Sequence, residues 1–193
     1  MQLSNRLFFE QVEAMLAEGH EVQIRMKGHS MRPLLRSERD IAVLTPIARY
    51  TGGSETAAAA RKQNRLARNE AFPAPAANSN TAANSDTDRL PSGSQALQPG
   101  DVVLFRCCGR HILHRIVRRD GDRLTLAGDG NYRITEQCTT RDVAGIAVRV
   151  IRASGRVVGC DSPGWRLRSR LWLAIPPWLR RQVLRVLWHS GWK

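Results

Sequence analysis

The run PGDVVLFRCCGRHILHRIVRRDGDRLTLAGDGN, residues 99–131, holds three strand-like segments within a short length of chain. Val102 to Phe105, Ile112 to Val117 and Leu124 to Ala127 are rich in apolar and β-branched residues. Pro99-Gly100 and Asp120-Gly121-Asp122 punctuate them as turns. The same pattern extends outward in both directions. Glu21-Val22-Gln23-Ile24-Arg25-Met26 alternates with period two, Ile41 to Leu44 and Val143 to Ile151 are further apolar runs, and Ser154-Gly155 follows as a turn. Short strands joined by tight turns predict a mainly antiparallel β domain.

Three segments depart from that pattern. Residues 4–18 are predicted to form a short amphipathic helix, with Ser4 as N-cap, Gly19 as stop, and Phe8, Val12, Met15 and Leu16 sharing the buried face. Residues 47–96 are rich in Ala, Asn, Ser, Thr and Pro, and Phe72 to Gln95 lack the apolar groups to order themselves. They are expected to be a disordered insertion dividing a β domain of residues 1–46 and 97–160. The tail, residues 161–193, holds all five tryptophans and no acidic residue after Asp161. Within it, Pro177 is placed to open a helix from Trp178 to Trp188 with Leu179, Val183, Val186 and Leu187 on one side.

The chain has 193 residues and a formal charge of +13, nearly all of it from arginine, since its lysines are Lys27, Lys62 and Lys193. That balance favours anionic partners. Cys107, Cys108, Cys138 and Cys160 form no CxxC pair and no Cys/His ligand spacing, so reduced thiols are expected, with no metal and no cofactor. Residues 1–24 lack a signal-peptide core, and no run is apolar enough to span a bilayer. The expected location is therefore cytoplasmic, or peripheral to the cytoplasmic membrane.

Chemistry enters at the strand edges. Ser30 lies in Gly28-His29-Ser30-Met31-Arg32-Pro33, His111 and His114 lie in one predicted strand, and Asp129 lies in Gly128-Asp129-Gly130-Asn131. A serine hydroxyl needs a neighbouring base to become a nucleophile, either a buried neutral lysine or a histidine. Between Gly100 and Ile151 there is no lysine, and Lys27, three residues before Ser30 on the same strand, should face the other way. His111 and His114, three apart, should also face opposite sides, so one of them can meet Ser30.

These segments resemble the type I signal peptidases and their relatives, the superfamily that includes LexA-like self-cleaving repressors. Gly28-His29-Ser30-Met31-Arg32-Pro33 is similar to their G-x-S-M-x-P box. Gly100-Asp101-Val102-Val103, Leu113-His114-Arg115-Ile116-Val117, Gly128-Asp129-Gly130-Asn131 and Asp142-Val143-Ala144-Gly145 are similar to the boxes that follow. Histidine in place of lysine resembles the Ser-His branch, here as a short bacterial-type member without a transmembrane anchor. The resemblance implies Ser30 as nucleophile, His114 as base and Asp129 as the orienting acid, with Glu136 in reserve and Asp142 beyond it. It also implies that the backbone N–H of Ser30 helps form an oxyanion hole. Read as residues, His29 and His111 are expected to be spectators, and Asp101 to cap the turn into its strand.

The function expected is a serine endopeptidase of signal-peptidase type that cleaves a peptide, pre-protein or leader. The alternative is a non-catalytic or LexA-like regulatory member of the same fold acting as a binding module. The tail is expected either to rest on an anionic membrane surface, as Trp and Arg together favour, or to pack on the domain. Nucleic acid is disfavoured as a partner, because no recognised motif accompanies the charge.

Overall fold

A computed structural model describes residues 5–25, 27–50, 96–131 and 134–189. Helix α1 (Asn5–Ala17) leads into strands β1 (Val22–Arg25) and β2 (Ile41–Pro46) and a 3-10 turn, Ile47–Arg49. After the segment 51–95 come β3 (Val102–Cys107), β4 (Arg110–Asp120), β5 (Arg123–Ala127) and β6 (Thr135–Thr139). The chain ends in β7 (Val143–Ile151), β8 (Val157–Gly159) and helices α2 (Pro163–Ala174) and α3 (Pro177–His189). The strands form one sheet in the order β1-β2-β7-β3-β4-β5-β6, with β8 on β7, and neighbours run antiparallel. The fold is thus mainly antiparallel β, with one N-terminal and two C-terminal helices.

Both faces of the sheet are covered, which explains why its central strands are continuous apolar runs rather than strict alternations. Consecutive residues go to opposite sides. Leu44, Leu104 and Leu113 join Val12 and Leu16 of α1 and Trp165 of α2 on one face. Val43, Val103, Phe105, Ile116, Leu126 and Ile146 form the core on the other. Register makes the alternation useful: Leu104 pairs with Leu113 and Val103 with His114, so His114 belongs to the second face and its neighbour Arg115 to the first.

Helix α1 buries a face rotated from the predicted one. Val12 and Leu16 are buried, but Phe8 and Met15 are exposed, and Phe9 packs against the core instead. Phe9 stacks on His111 at 5.5 Å between ring centres, and that contact sets the rotation. Helix α2 carries a capping signal: Ser162 accepts from the Trp165 N–H at 3.3 Å, and Pro163 opens the first turn. Its buried stripe is Trp165, Ser169 and Trp172, at the i, i+4, i+7 spacing of one helical face. These two tryptophans therefore pack on the domain.

The predicted insertion falls mostly on residues outside those described. At its start, however, Ile47 and Tyr50 are buried in the second core, so the β domain continues beyond residue 46. No helix among the described residues is long and apolar enough to cross a membrane.

Candidate active site

The Ser30 turn is fastened at both ends. Met31 and Leu35 are buried, the Leu35 N–H donates to the Met31 carbonyl at 2.9 Å, and the Gly28 N–H donates to Ser37 Oγ at 2.9 Å. Ser30 itself is exposed. Its carbonyl accepts from the Gly130 N–H at 2.7 Å, which ties it to the loop between β5 and β6.

Two glycines make this approach feasible. A Cβ on Gly128 would lie 2.5 Å from the Ser30 carbonyl oxygen and 2.9 Å from His114 Nε2. A Cβ on Gly130 would lie 2.4 Å from the His29 carbonyl oxygen. Ser30 and the His114 ring therefore flank one residue that has no room for a side chain. Gly128→Ala must push the Ser30 turn away from the imidazole. Its expected result is loss of at least about 10²-fold in any activity that needs the two groups together, since misplacement by ~1 Å costs on that scale. Peptide-cleavage rates at a temperature where circular dichroism shows the variant folded provide the check.

His114 projects from the middle of β4 and is buried among Phe105 and the second core. Its Nδ1 lies 2.8 Å from Glu136 Oε2 on β6. An ionised carboxylate can only accept, so Nδ1 carries the proton and Nε2, facing Gly128, is the acceptor of the neutral ring. Glu136 pairs in register with Leu126, a residue of the second core, and so stands on the same side of the sheet as His114.

Asp129 is elsewhere. Its two oxygens accept from Arg115 Nε at 2.8 Å and Nη2 at 2.9 Å, so it does not serve the imidazole as predicted. Sheet parity is the reason: Arg115 follows His114 and points to the opposite face, and Asp129 turns there to neutralise it. Arg115 is 0% exposed and Asp129 2%. Arg115 Nη1 also donates to the Gly100 carbonyl and, at 2.8 Å, to Ser169 Oγ, while its guanidinium lies 5.7 Å from the centre of the Trp165 ring. Trp172 Nε1 donates to the Asp129 carbonyl at 3.1 Å. Helix α2 thus holds from behind the loop that touches Ser30. Neither Arg115 nor α2 was singled out from sequence; adjacency to His114 and the Ser162-Pro163 start were the available signals.

The other named residues have separate partners. His111 Nε2 lies 2.8 Å from Glu13 Oε2 on the α1 side, as its spacing from His114 predicts. Lys27 is 89% exposed and lies 3.9 Å from Glu38. Asp142 accepts from the Thr139 N–H at 2.8 Å and the Thr139 hydroxyl at 2.7 Å, capping the 3-10 turn before β7. Burial pushes the Cys138 and Cys160 thiols up to about 12, which leaves them weak nucleophiles.

Asp101 caps its turn, accepting from the Gln98 N–H at 2.9 Å. Burial raises its carboxyl from 3.8 to about 6, outweighing hydrogen bonds from Gln98 and Tyr50 and the nearby arginines. A raised carboxyl favours the folded state below the unfolded pKa and loses that contribution as pH rises through the folded one. Between about pH 4 and 6 this should remove about 1–2 kcal/mol, allowing for partial exposure. Asn at this position keeps the cap without the charge. Asp101→Asn should therefore gain stability relative to the parent as pH rises from 4 to 7, and parallel melting curves across that range would contradict this.

Compared with known proteins, the chain matches no protein-family model, no curated protein and no solved structure at a significant level.

Proposed function

We propose that this chain is a serine endopeptidase of the signal-peptidase type, with Ser30 as nucleophile, His114 as general base and Glu136 as the orienting acid. One observation carries the proposal: Glu136 bonds Nδ1 of His114, and the opposite ring nitrogen faces the glycine against which Ser30 packs. Ser30 Oγ attacks the scissile carbonyl carbon and its proton passes to His114 Nε2. Glu136 stabilises the imidazolium across Nδ1. Collapse of the tetrahedral adduct expels the amine, which takes that proton, and leaves an ester on Ser30. Water, deprotonated by the same ring, then hydrolyses the ester. In this proposal the Ser30 backbone N–H contributes to the oxyanion hole, where each donor is worth ~3–4 kcal/mol in the transition state.

Glu136→Gln should lower the cleavage rate by about 10³–10⁴-fold with folding retained, because the amide cannot hold the ring in the proton-accepting tautomer as a carboxylate does. Rates on a peptide mixture, resolved by mass spectrometry, test it. Retention of more than about a tenth of the parent rate would leave His114 without its acid.

The same proposal places the protein at the cytoplasmic membrane surface, held by its C-terminal helices. On α2 the stripe opposite Trp165 and Trp172 carries exposed Leu167 and Leu171, flanked by Arg166, Arg168 and Arg170. On α3 Trp178 is 69% and Val186 66% exposed, and Val183 and Leu187 are turned partly inward, so the apolar side is divided rather than single as predicted. An apolar strip edged by arginines suits an anionic interface, with each basic residue adding ~1 kcal/mol. Truncation at Cys160 would strip two buried tryptophans from the core, so point substitutions are the cleaner probe. Leu171→Glu/Trp178→Glu should abolish co-sedimentation with anionic vesicles, and unchanged sedimentation would remove the membrane from the proposal.

A further inference from the structure

A cleft of about 720 Å³ opens where the Ser30 loop meets the turn between β7 and β8 and one flank of α2. Arg36, Arg39, Arg152, Arg156 and Arg168 line it, facing a single lining carboxylate, Asp40. Asp40 is buried and already engaged. It accepts from Arg152 Nη1 at 2.5 Å and from the Arg36 N–H at 2.9 Å. The same Arg152 nitrogen holds the Leu34 carbonyl at 2.8 Å, which fixes the loop wall in place. Cations gathered in a concave, partly apolar wall repel one another, and the low-dielectric surroundings focus their field outward. Such a cleft is suited to an anion that enters from solvent.

The arginine forks and the position together indicate which anion. A guanidinium matches the plane of a carboxylate and can bond it with two parallel N–H groups. Within the cleft wall one carboxylate is already held: Arg152 Nη1 and the Arg36 backbone N–H both donate to the same oxygen of Asp40. Pro33 and Leu34, at the near edge of the cleft, follow Ser30 by three and four residues. Chain reach of ~3.5 Å per residue puts that edge within about 14 Å of Ser30. An extended peptide crossing Ser30 covers that span in roughly three to five residues.

We propose that this cleft binds a cluster of Asp or Glu side chains in the peptide processed at Ser30, roughly three to five residues to one side of the scissile bond. The inference rests on the peptidase proposal for its link to cleavage, but binding can be measured without any cleavage. The probe is a fluorescein-labelled decapeptide carrying consecutive glutamates, compared with its glutamine counterpart. Its anisotropy is read against the intact chain bearing Ser30→Ala at low salt. The glutamate peptide should bind at least about tenfold more tightly, and high salt should erase the difference. Arg156→Gln/Arg168→Gln should lose at least about tenfold of that affinity. The exposed pair Arg110→Gln/Arg123→Gln, at the β3–β4 and β4–β5 turns, should lose less than about twofold, since surface charges away from the site act only through the screened field.

Equal binding of the two peptides would overturn the proposal. So would equal losses from the two arginine pairs, which would mean attraction by overall charge alone. Anionic vesicles that lose binding in the cleft variant, with peptide binding unchanged, would make the cleft a lipid-headgroup site and equally overturn it. A chain that binds the acidic peptide yet cuts no peptide would sink the peptidase proposal and leave the cleft standing. A chain that cuts but ignores the glutamates would do the reverse.

Discussion

Ser30→Ala will lower peptide cleavage by at least about 10³-fold, and it will do so without loss of stability. Ser30 is exposed, and its described hydrogen bond runs through the backbone, which alanine keeps. The unfolding midpoint should stay within about 2 °C of the parent, as for surface substitutions in general. His114→Ala should match the loss of rate, with some loss of stability because the ring fills space beside Phe105. Lys27→Ala should leave the rate unchanged, since that side chain lies in solvent near Glu38. If Lys27→Ala removed activity in a folded protein, the base would have to be reassigned to lysine. Full activity in Ser30→Ala would end the enzyme proposal and favour a binding module of the same fold.

Asp129→Asn will be among the most destabilising single changes in the domain. It leaves Arg115, fully buried, without a counter-charge. Removing one partner of such a pair costs about 3–5 kcal/mol, because the remaining charge stays desolvated. For a domain of this size that is roughly 6–20 °C in midpoint. Arg115→Met/Asp129→Leu should recover part of the loss by removing both charges, although the Gly100 carbonyl and Ser169 then lose their donor. Activity separates the two acids. Well below its lowered midpoint, Asp129→Asn should keep cleavage within about tenfold of the parent, whereas Glu136→Gln loses it with a near-normal midpoint. The opposite pattern, a stable but inactive Asp129→Asn and an active Glu136→Gln, would restore Asp129 as the catalytic acid.

Sequence pattern alone favours Asp129 over Glu136 as the partner of His114, for a physical reason. The strands that bury apolar side chains, β1 to β5 and β7, were legible from their patterns, and β7 runs from Val143 to Ile151 as predicted. Strand β6, Thr135–Thr139, is Thr-Glu-Gln-Cys-Thr at the edge of the sheet and has no apolar run to mark it. Glu136 stands on that strand, and without the pairing of β5 with β6 nothing places it beside His114. Asp129 drew the assignment because it sits in a Gly-Asp-Gly-Asn turn. Its real partner, Arg115, becomes visible once strand parity puts consecutive residues on opposite faces.

The helices show the same limit. Both α1 and α3 were legible as amphipathic patterns, but which apolar residues turn inward depends on neighbours distant in sequence, such as His111 for Phe9. Helix α2 is hard to read from sequence because Arg166, Arg168 and Arg170 interleave its apolar residues in a basic tail, where charge obscures the Trp165, Ser169, Trp172 stripe.

Covalent labelling of Ser30 by a fluorophosphonate, followed by peptide mapping, tests the Ser30–His114–Glu136 assembly most directly, because it requires no knowledge of the substrate. Such a reagent traps a serine whose proton is accepted by a neighbouring base. The intact protein should be modified at Ser30 ahead of its other serines. His114→Ala should abolish the modification, and Glu136→Gln should slow it by at least about 10²-fold with the fold unchanged. Modification of Ser30 at the same rate in His114→Ala, or none at Ser30 in the parent while other serines react, would contradict the assembly.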